Sequence, residues 1–376
     1  MKRLLLAGGG QVHALVLRDL AQRRLTGIDV VLVTPSNQLR YSGMLPGWVA
    51  GHYGLSDLTI DLAPLADAAG ARLILAQLRK LDLANRIALT DGGQAIDFDV
   101  LSIATGAVVD IDAINGARQH ALPLRPFEQF IGGWERIVQN ADAASETFRL
   151  TVVGAGAAGV EMALAASYRA RKMRLPMRVR LLTGGVPLLP GHGDRARSLM
   201  HAMLAKGGVQ LLDATAQRVE SGAVITRDDQ RFVTDATLIA TGANAPDWLR
   251  STQLALDDGG FVAVNSHLQS ISHSFVFAAG DVATLTETPR AKSGVYAVRA
   301  AKPLAGNLIA AITGEPLGVF TPQRRALYLI STGPKHAIAS WGRWGFAGRW
   351  VWRWKNGIDR DYISKLRRPI TRRISR

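Results

Sequence analysis

One order of elements, strand–glycine turn–helix–strand, occurs twice in this chain, and it restricts the fold more than any other feature. The first copy opens with the apolar run Arg3–Ala7 followed by Gly8-Gly9-Gly10. The second opens with Arg149–Val153 followed by Gly154-Ala-Gly156-Ala-Ala-Gly159. Each glycine cluster begins a helical pattern that leads to another apolar run, Asp29–Val33 and Arg178–Leu182. Near-duplicates then follow, FDVLSIATGA (Phe98–Ala107) and TDATLIATGA (Thr234–Ala243). Strands alternating with helices, with glycine turns at the strand ends, build parallel sheets that bind dinucleotides. The repeat therefore predicts an α/β protein with two Rossmann-like domains.

The turn chemistry differs between the copies. In the second, Gly154 permits a tight turn, Gly156 lets a pyrophosphate approach the backbone, and Gly159 allows close helix–strand packing. In the first, Gly8 and Gly10 fit, but His13 stands where the third glycine belongs. Either the helix packs further from its strand, or the His13 ring touches the ligand. Neither second strand ends in the acid that usually binds ribose. Thr34 and Thr183 stand there instead, and Asp29 is at the wrong end of its strand. With no Arg directly after Thr183, the residues leave the choice between NADH and NADPH open.

Beyond the second copy, HSFVFAAGDVA (His273–Ala283) reads as a strand ending in Gly-Asp. Asp281 there suits a polyol chain, or simply caps a helix. The helix opening at Ser293-Gly294-Val295-Tyr296 would aim backbone N–H groups at the electron-rich edge of a flavin. Lys292 either adds positive charge beside it or is solvated. Runs Leu327–Ser331 and Ala337–Trp341, split by Thr332-Gly333-Pro334, predict a β-hairpin. A helix from about Arg349 to Leu366 and a disordered basic tail after Pro369 complete the chain.

The 376 residues contain no cysteine. That excludes protein-borne disulfide exchange, thiolate nucleophiles, iron–sulfur clusters and Cys-ligated zinc, so redox chemistry must come from a bound cofactor. No metal site is expected. Net charge is +15, and eleven Lys/Arg against Asp359 and Asp361 fall within 341–376. The opening MKRLLLAGGG has too short an apolar run for an export leader and no run of 18 apolar residues occurs, so a cytoplasmic location is expected.

Taken together, Gly8-x-Gly10, the two IATGA segments, Gly154-x-Gly156-x-x-Gly159-Val-Glu161 and FAAGDVA resemble the FAD-dependent pyridine nucleotide–disulfide oxidoreductase superfamily. The cysteine-free layout is most similar to type II NADH dehydrogenases. GGGQVHALVLR, YSGMLPGWVAGHY, PQRRALYLISTG and AIASWG…GRWVWRWKNGIDRDYI further resemble a subgroup found alone or fused ahead of selenide, water dikinase. The resemblance implies that the first copy binds FAD and the second NAD(P)H, with the FAD domain split around the other. The corresponding boundaries are 1–118 and 255–318 for FAD, 119–254 for NAD(P)H, and 319–376 for the C-terminal region. It implies that Asp281 binds the ribityl chain, with Val282 beside it at the cofactor. Thr105-Gly106 and Thr241-Gly242 match turns near the two cofactors, and Glu161 matches a residue near the flavin–nicotinamide junction.

Many flavoenzymes of this two-dinucleotide class carry a redox-active cysteine pair near the segment RYSGMLPGWVAGHY (Arg40–Tyr53). Here Tyr41, Met44, Leu45 and Pro46 are expected to wall the flavin, with Arg40 nearby; the alternative is a turn that only packs the domain. Hydride transfer from NAD(P)H to FAD then feeds a small acceptor, with a quinone leading. Glu161 orients the nicotinamide or manages a proton, or forms a structural salt bridge. Lys292 is the other candidate catalytic residue. Trp341, Trp344, Trp350, Trp352 and Trp354, interleaved with arginines, suit an anionic membrane surface. Equally, the helix packs on the FAD domain with its tryptophans as core. An RNA-binding role ranks last, since no RNA module is present. A flavin-based redox sensor without turnover and a redox partner in selenium metabolism are the competing functions. The residues do not indicate an oligomeric state.

Overall fold

The computed structural model describes residues 1–368 apart from Arg24; the tail after Pro369 lies outside the described residues. Strand β1 (Lys2–Ala7), helix α1 (Gln11–Ala21) and strand β2 (Ile28–Thr34) form the first unit. Short helix α2 (Leu45–Val49) and strands β3 (Ala71–Leu75) and β4 (Val100–Ile103) follow. The second unit comprises β5 (Leu122–Pro123), β6 (Phe148–Val153), α3 (Ala157–Met173), β7 (Met177–Leu182), α4 (Asp194–Lys206), β8 (Gln210–Leu212) and β9 (Ala236–Ile239). Then come β10 (Val276–Ala278) and α5 (Gly294–Thr313).

Two five-stranded parallel sheets result. The first has the order β10-β4-β1-β2-β3 and the second β5-β9-β6-β7-β8. The first sheet takes β10 from beyond the second unit, so one dinucleotide fold interrupts the other. Leu4, Leu6 and Leu32 enter one core and Leu5, Val31 and Val33 another, on opposite faces. Strands buried on both faces read as continuous apolar runs, as these do.

The duplication extends beyond the glycine turns. Each unit carries a three-stranded antiparallel meander, within residues 78–97 and 216–233. The two IATGA segments also lead into strands that pair with each other, Val108 with Asn244 and Val109 with Ala243. The two copies are thus stitched together beside their own crossover turns.

The C-terminal region departs from the expected hairpin. Strands β11 (Leu327–Ser331) and β12 (Ala337–Trp341) lie where the pattern placed them, but β13 (Trp344–Gly348) adds a third antiparallel strand. Its sequence, WGFAG, has two glycines in five residues and reads as turn. Pairing with β12 overrides that weak propensity. Helix α6 (Arg349–Arg367) follows directly.

Candidate functional site

Both glycine turns press against the crossover turn of their own copy. Gly8 has φ +104°, and a Cβ there would lie 2.7 Å from the Ala104 carbonyl oxygen. Gly154 has φ +137°, with the Ala240 oxygen 2.3 Å away from such a Cβ, and a Cβ on Gly159 would lie 1.9 Å from the Gly154 oxygen. No side chain fits these positions. Thr105-Gly106 and Thr241-Gly242 are therefore beside the two turns. Gly156 faces open space, and Thr241 keeps a buried hydroxyl without a partner.

His13 solves the missing third glycine in its own way. It is fully buried, with Nδ1 2.6 Å from the Gly8 oxygen and Nε2 2.9 Å from Ser102 Oγ. The carbonyl only accepts, so Nδ1–H donates to it and Nε2 accepts from the serine. Burial pushes its pKa down to about 4, which keeps the ring neutral. The ring thus braces the turn from beneath. Thr34 is likewise buried and donates to the Ser36 carbonyl at 3.1 Å.

Around the first turn, several buried polar atoms lack partners among the described residues. They are Gln11 Oε1, Asp281 Oδ1 and Ser293 Oγ. Asp281 follows β10, and its other oxygen accepts from Arg125 Nη2 at 3.2 Å. Arg125 went unnoticed in the sequence because 156 positions separate the pair. Asp281, Lys292, Ser293 and Tyr296 line one small cavity of about 50 Å³ at the start of α5, beside Gly294 and Val295. The Val282 side chain is fully buried in the core, which leaves only its backbone for a ligand.

Lys292 is not a solvated lysine. Its ammonium donates to the Ala283 carbonyl and Thr284 Oγ1, both at 2.6 Å, and lies 3.9 Å from the centre of the Phe261 ring. Burial lowers its pKa to about 8. These contacts tie down the loop ahead of α5.

Glu161, on α3, accepts from the Ser331 backbone N–H at 2.7 Å. Although it keeps some solvent access, enclosure pushes its carboxyl up to about 7, opposed by the nearby Lys355 ammonium. Lys355 and Asp359 form a buried i,i+4 ion pair of 2.6 Å on α6. Lys355 also donates to the Gly43 carbonyl, and Tyr41 O–H donates to Asp359 at 3.0 Å. Tyr41 stacks on Tyr362 with centroids 4.6 Å apart.

The segment Arg40–Tyr53 is thereby reassigned. It is the dock for α6: besides the Tyr41 and Gly43 contacts, Tyr53 O–H donates to Asn356 at 2.7 Å. Arg40 donates to Gln38 and Thr59. Pro46 is buried in the first turn of α2. Met44, at 1 % exposure, and Leu45 sit in the main core and form no wall of an open site.

Helix α6 packs on the segment Arg40–Tyr53, but its tryptophans divide: Trp352 is half-buried against the cluster of Ala337, Ala339 and Val351, beside His52. Trp350, Trp354 and Ile358 point outward, at 51 %, 45 % and 47 % exposure, while Val351, Lys355, Asp359, Ile363 and Leu366 face inward. Trp341, Trp344 and Phe346 extend the exposed aromatic surface onto the C-terminal sheet. Arg343, Arg349 and Arg353 are exposed among them. No helix among the described residues is long and apolar enough to cross a membrane.

The family model for the pyridine nucleotide-disulphide oxidoreductases matches residues 7–301, which span both glycine turns and the Asp281 strand end. The chain belongs to this family. The family brings FAD and NAD(P)H as its cofactors. Among similar proteins is demethylphylloquinone reductase NdbB of Synechocystis, 23% identical over 82% of this chain and 78% of that one. Another is the internal alternative NAD(P)H-ubiquinone oxidoreductase A1 of Arabidopsis thaliana, 24% identical over 76% and 62% of the two chains. The fold matches NDH2 of Plasmodium falciparum in complex with NADH, with TM-score 0.78 at 13% identity, over 98% of this chain and all of that one.

Proposed function

We propose that this family member oxidises NAD(P)H through FAD and delivers the electrons to a quinone without any protein thiol. The observation that carries the reading is the pair of sterically enforced glycine turns in a chain devoid of cysteine. Quinone reductases among the similar proteins support the acceptor class.

The orphaned polar atoms at the first turn fit FAD. Gln11 Oε1 and Asp281 Oδ1 would accept from its polyol hydroxyls, the Ser293 hydroxyl would donate to a phosphate or ring acceptor, and the N-terminus of α5 offers backbone N–H groups to an electron-rich ring edge. When bound, FAD supplies the carrier that accepts a hydride and releases electrons to the acceptor. The second turn, Gly154-x-Gly156-x-x-Gly159 with Thr241-Gly242, holds the nicotinamide nucleotide. Glu161, its carboxyl pushed up to about 7 by burial, can hold a proton near neutral pH and serves as proton source at the acceptor side. Lys355 and Asp359 position that charge system from α6.

Steady-state assay with FAD-loaded protein, NADH or NADPH and a soluble quinone tests this reading. Nicotinamide oxidation should require the quinone and stop in apoprotein. Absence of turnover with either nucleotide overturns it.

The exposed aromatic and arginine surface favours docking on an anionic bilayer. Tryptophans suit the interface, and arginines suit acidic headgroups. Trp350→Ala with Trp354→Ala should cut recovery on floated anionic vesicles about tenfold or more, since burying the two half-exposed rings together contributes roughly 2 kcal/mol. Both side chains are exposed, so the melting temperature should hold. Equal flotation of parent and variant would remove the membrane from the account.

A further inference from the structure

At the adenosine end of the second dinucleotide fold, the chain supplies an acid from an unexpected place. Thr183 follows β7, where an Asp or Glu ordinarily accepts the ribose hydroxyls. Its Oγ1 donates to Asp213 Oδ1 at 2.7 Å. Asp213 follows β8, which pairs with β7 in the register Leu182 to Leu212. Two backbone bonds continue the pairing past the strand ends. Thr183 N–H donates to Leu212 and Gly184 N–H to Ala214, both at 3.0 Å. The carboxylate is therefore fixed at the carboxyl edge of the sheet, one strand across from the usual position.

The surroundings leave this carboxylate available. Asp213 is exposed, and among the described residues its one side-chain hydrogen bond comes from Thr183. Gly184 and Gly185 both have φ +76°, and a Cβ on Gly184 would meet nothing within 4 Å. No Lys or Arg occurs between Thr183 and Gly193. Arg180, the last basic residue of β7, is engaged elsewhere: it donates to the Val233 carbonyl and lies over the Phe232 ring.

We propose that Asp213, presented by Thr183, selects the 2′-hydroxyl of NADH and rejects the 2′-phosphate of NADPH. The inference rests on the reading that the second unit holds the nicotinamide nucleotide. With one lobe of Oδ1 taken by Thr183, the remaining lone pairs accept a ribose hydroxyl. A 2′-phosphate carries nearly two negative charges and meets this carboxylate, with no Lys or Arg on the loop from Thr183 to Gly193 to neutralise it.

The test measures binding by calorimetry, with full-length FAD-loaded protein and two redox-inert probes, ADP-ribose and 2′-phospho-ADP-ribose. The parent should favour ADP-ribose by about tenfold or more. Asp213→Asn should bring the two within about threefold, chiefly by tightening the phosphorylated probe. Thr183→Val should shift the ratio in the same direction by less. An unmoved ratio in Asp213→Asn, or a parent that prefers the phosphorylated probe, overturns the role of Asp213 while the nucleotide site stands. If neither probe binds the parent, the nucleotide reading itself fails and the inference fails with it. An unchanged melting temperature in Asp213→Asn confirms that the exposed substitution leaves the fold intact.

Discussion

Replacing Met44 with Asp will leave little folded protein. Met44 is closed off from solvent within the core that contains Leu45, Val49 and Leu58. Lys355, the cation that reaches the adjacent Gly43 carbonyl, is already paired with Asp359, and an unpaired carboxylate in such a site costs several kcal/mol. The whole domain has only about 5–15 kcal/mol to lose. Met44→Leu conserves volume and should lose less than about 1.5 kcal/mol. Yield and thermal melting of the two variants provide the measurement. A normally melting Met44→Asp protein would show that this side chain does not belong to the core. Loss of α6 docking should accompany the unfolding, because Tyr41 and Gly43 beside Met44 hold Asp359 and Lys355.

Glu161→Gln should slow reoxidation of the reduced flavin by quinone about 100-fold, the low end of what a positioned acid contributes. Reduction by NADH should change far less. In the parent, reoxidation should fall as pH rises through about 7, because the carboxyl loses its proton there. The variant should show no such step. Stability offers an independent sign check. Burial raises the folded pKa above the ordinary carboxylate value, so the folded state binds more protons between the two values. The associated stability is complete below the unfolded pKa and is lost as pH rises through the folded one. Glutamine cannot ionise, so the variant should escape that loss and melt no earlier than the parent at pH 8. Equal slowing of both half-reactions, or an unchanged pH step, would assign Glu161 a structural role.

The glycine turns were legible because their demands are local. Gly154 and Gly159 meet backbone atoms within their own turn or crossover, so the spacing alone carries the information. Parallel sheets followed from apolar runs alternating with helices. The ribose-side acid was not legible, since Thr183 and Asp213 are 30 positions apart and meet only through the register of β7 and β8. Arg125 and Asp281 were hidden by the same kind of separation. On α6, Trp350, Trp354 and Ile358 recur every four residues and so share one face, but periodicity does not say which face turns inward. Here the face with Val351, Ile363 and Leu366 is buried, and Lys355 and Asp359 join it because they satisfy each other and bind Tyr41 and the Gly43 carbonyl. Buried charges survive when paired and hydrogen-bonded. Met44 misled for a simpler reason: an apolar residue near a glycine-rich turn carries no sign of whether it faces a ligand or the core.

Anaerobic rapid mixing, with the flavin absorbance followed through both half-reactions in one sequence, tests the central claim most directly. The account predicts bleaching by NADH within seconds, followed by full return of oxidised flavin when a soluble quinone is mixed in, in a chain with no thiol to relay electrons. A flavin that neither nucleotide bleaches, or one that stays reduced in the presence of excess quinone, would contradict it.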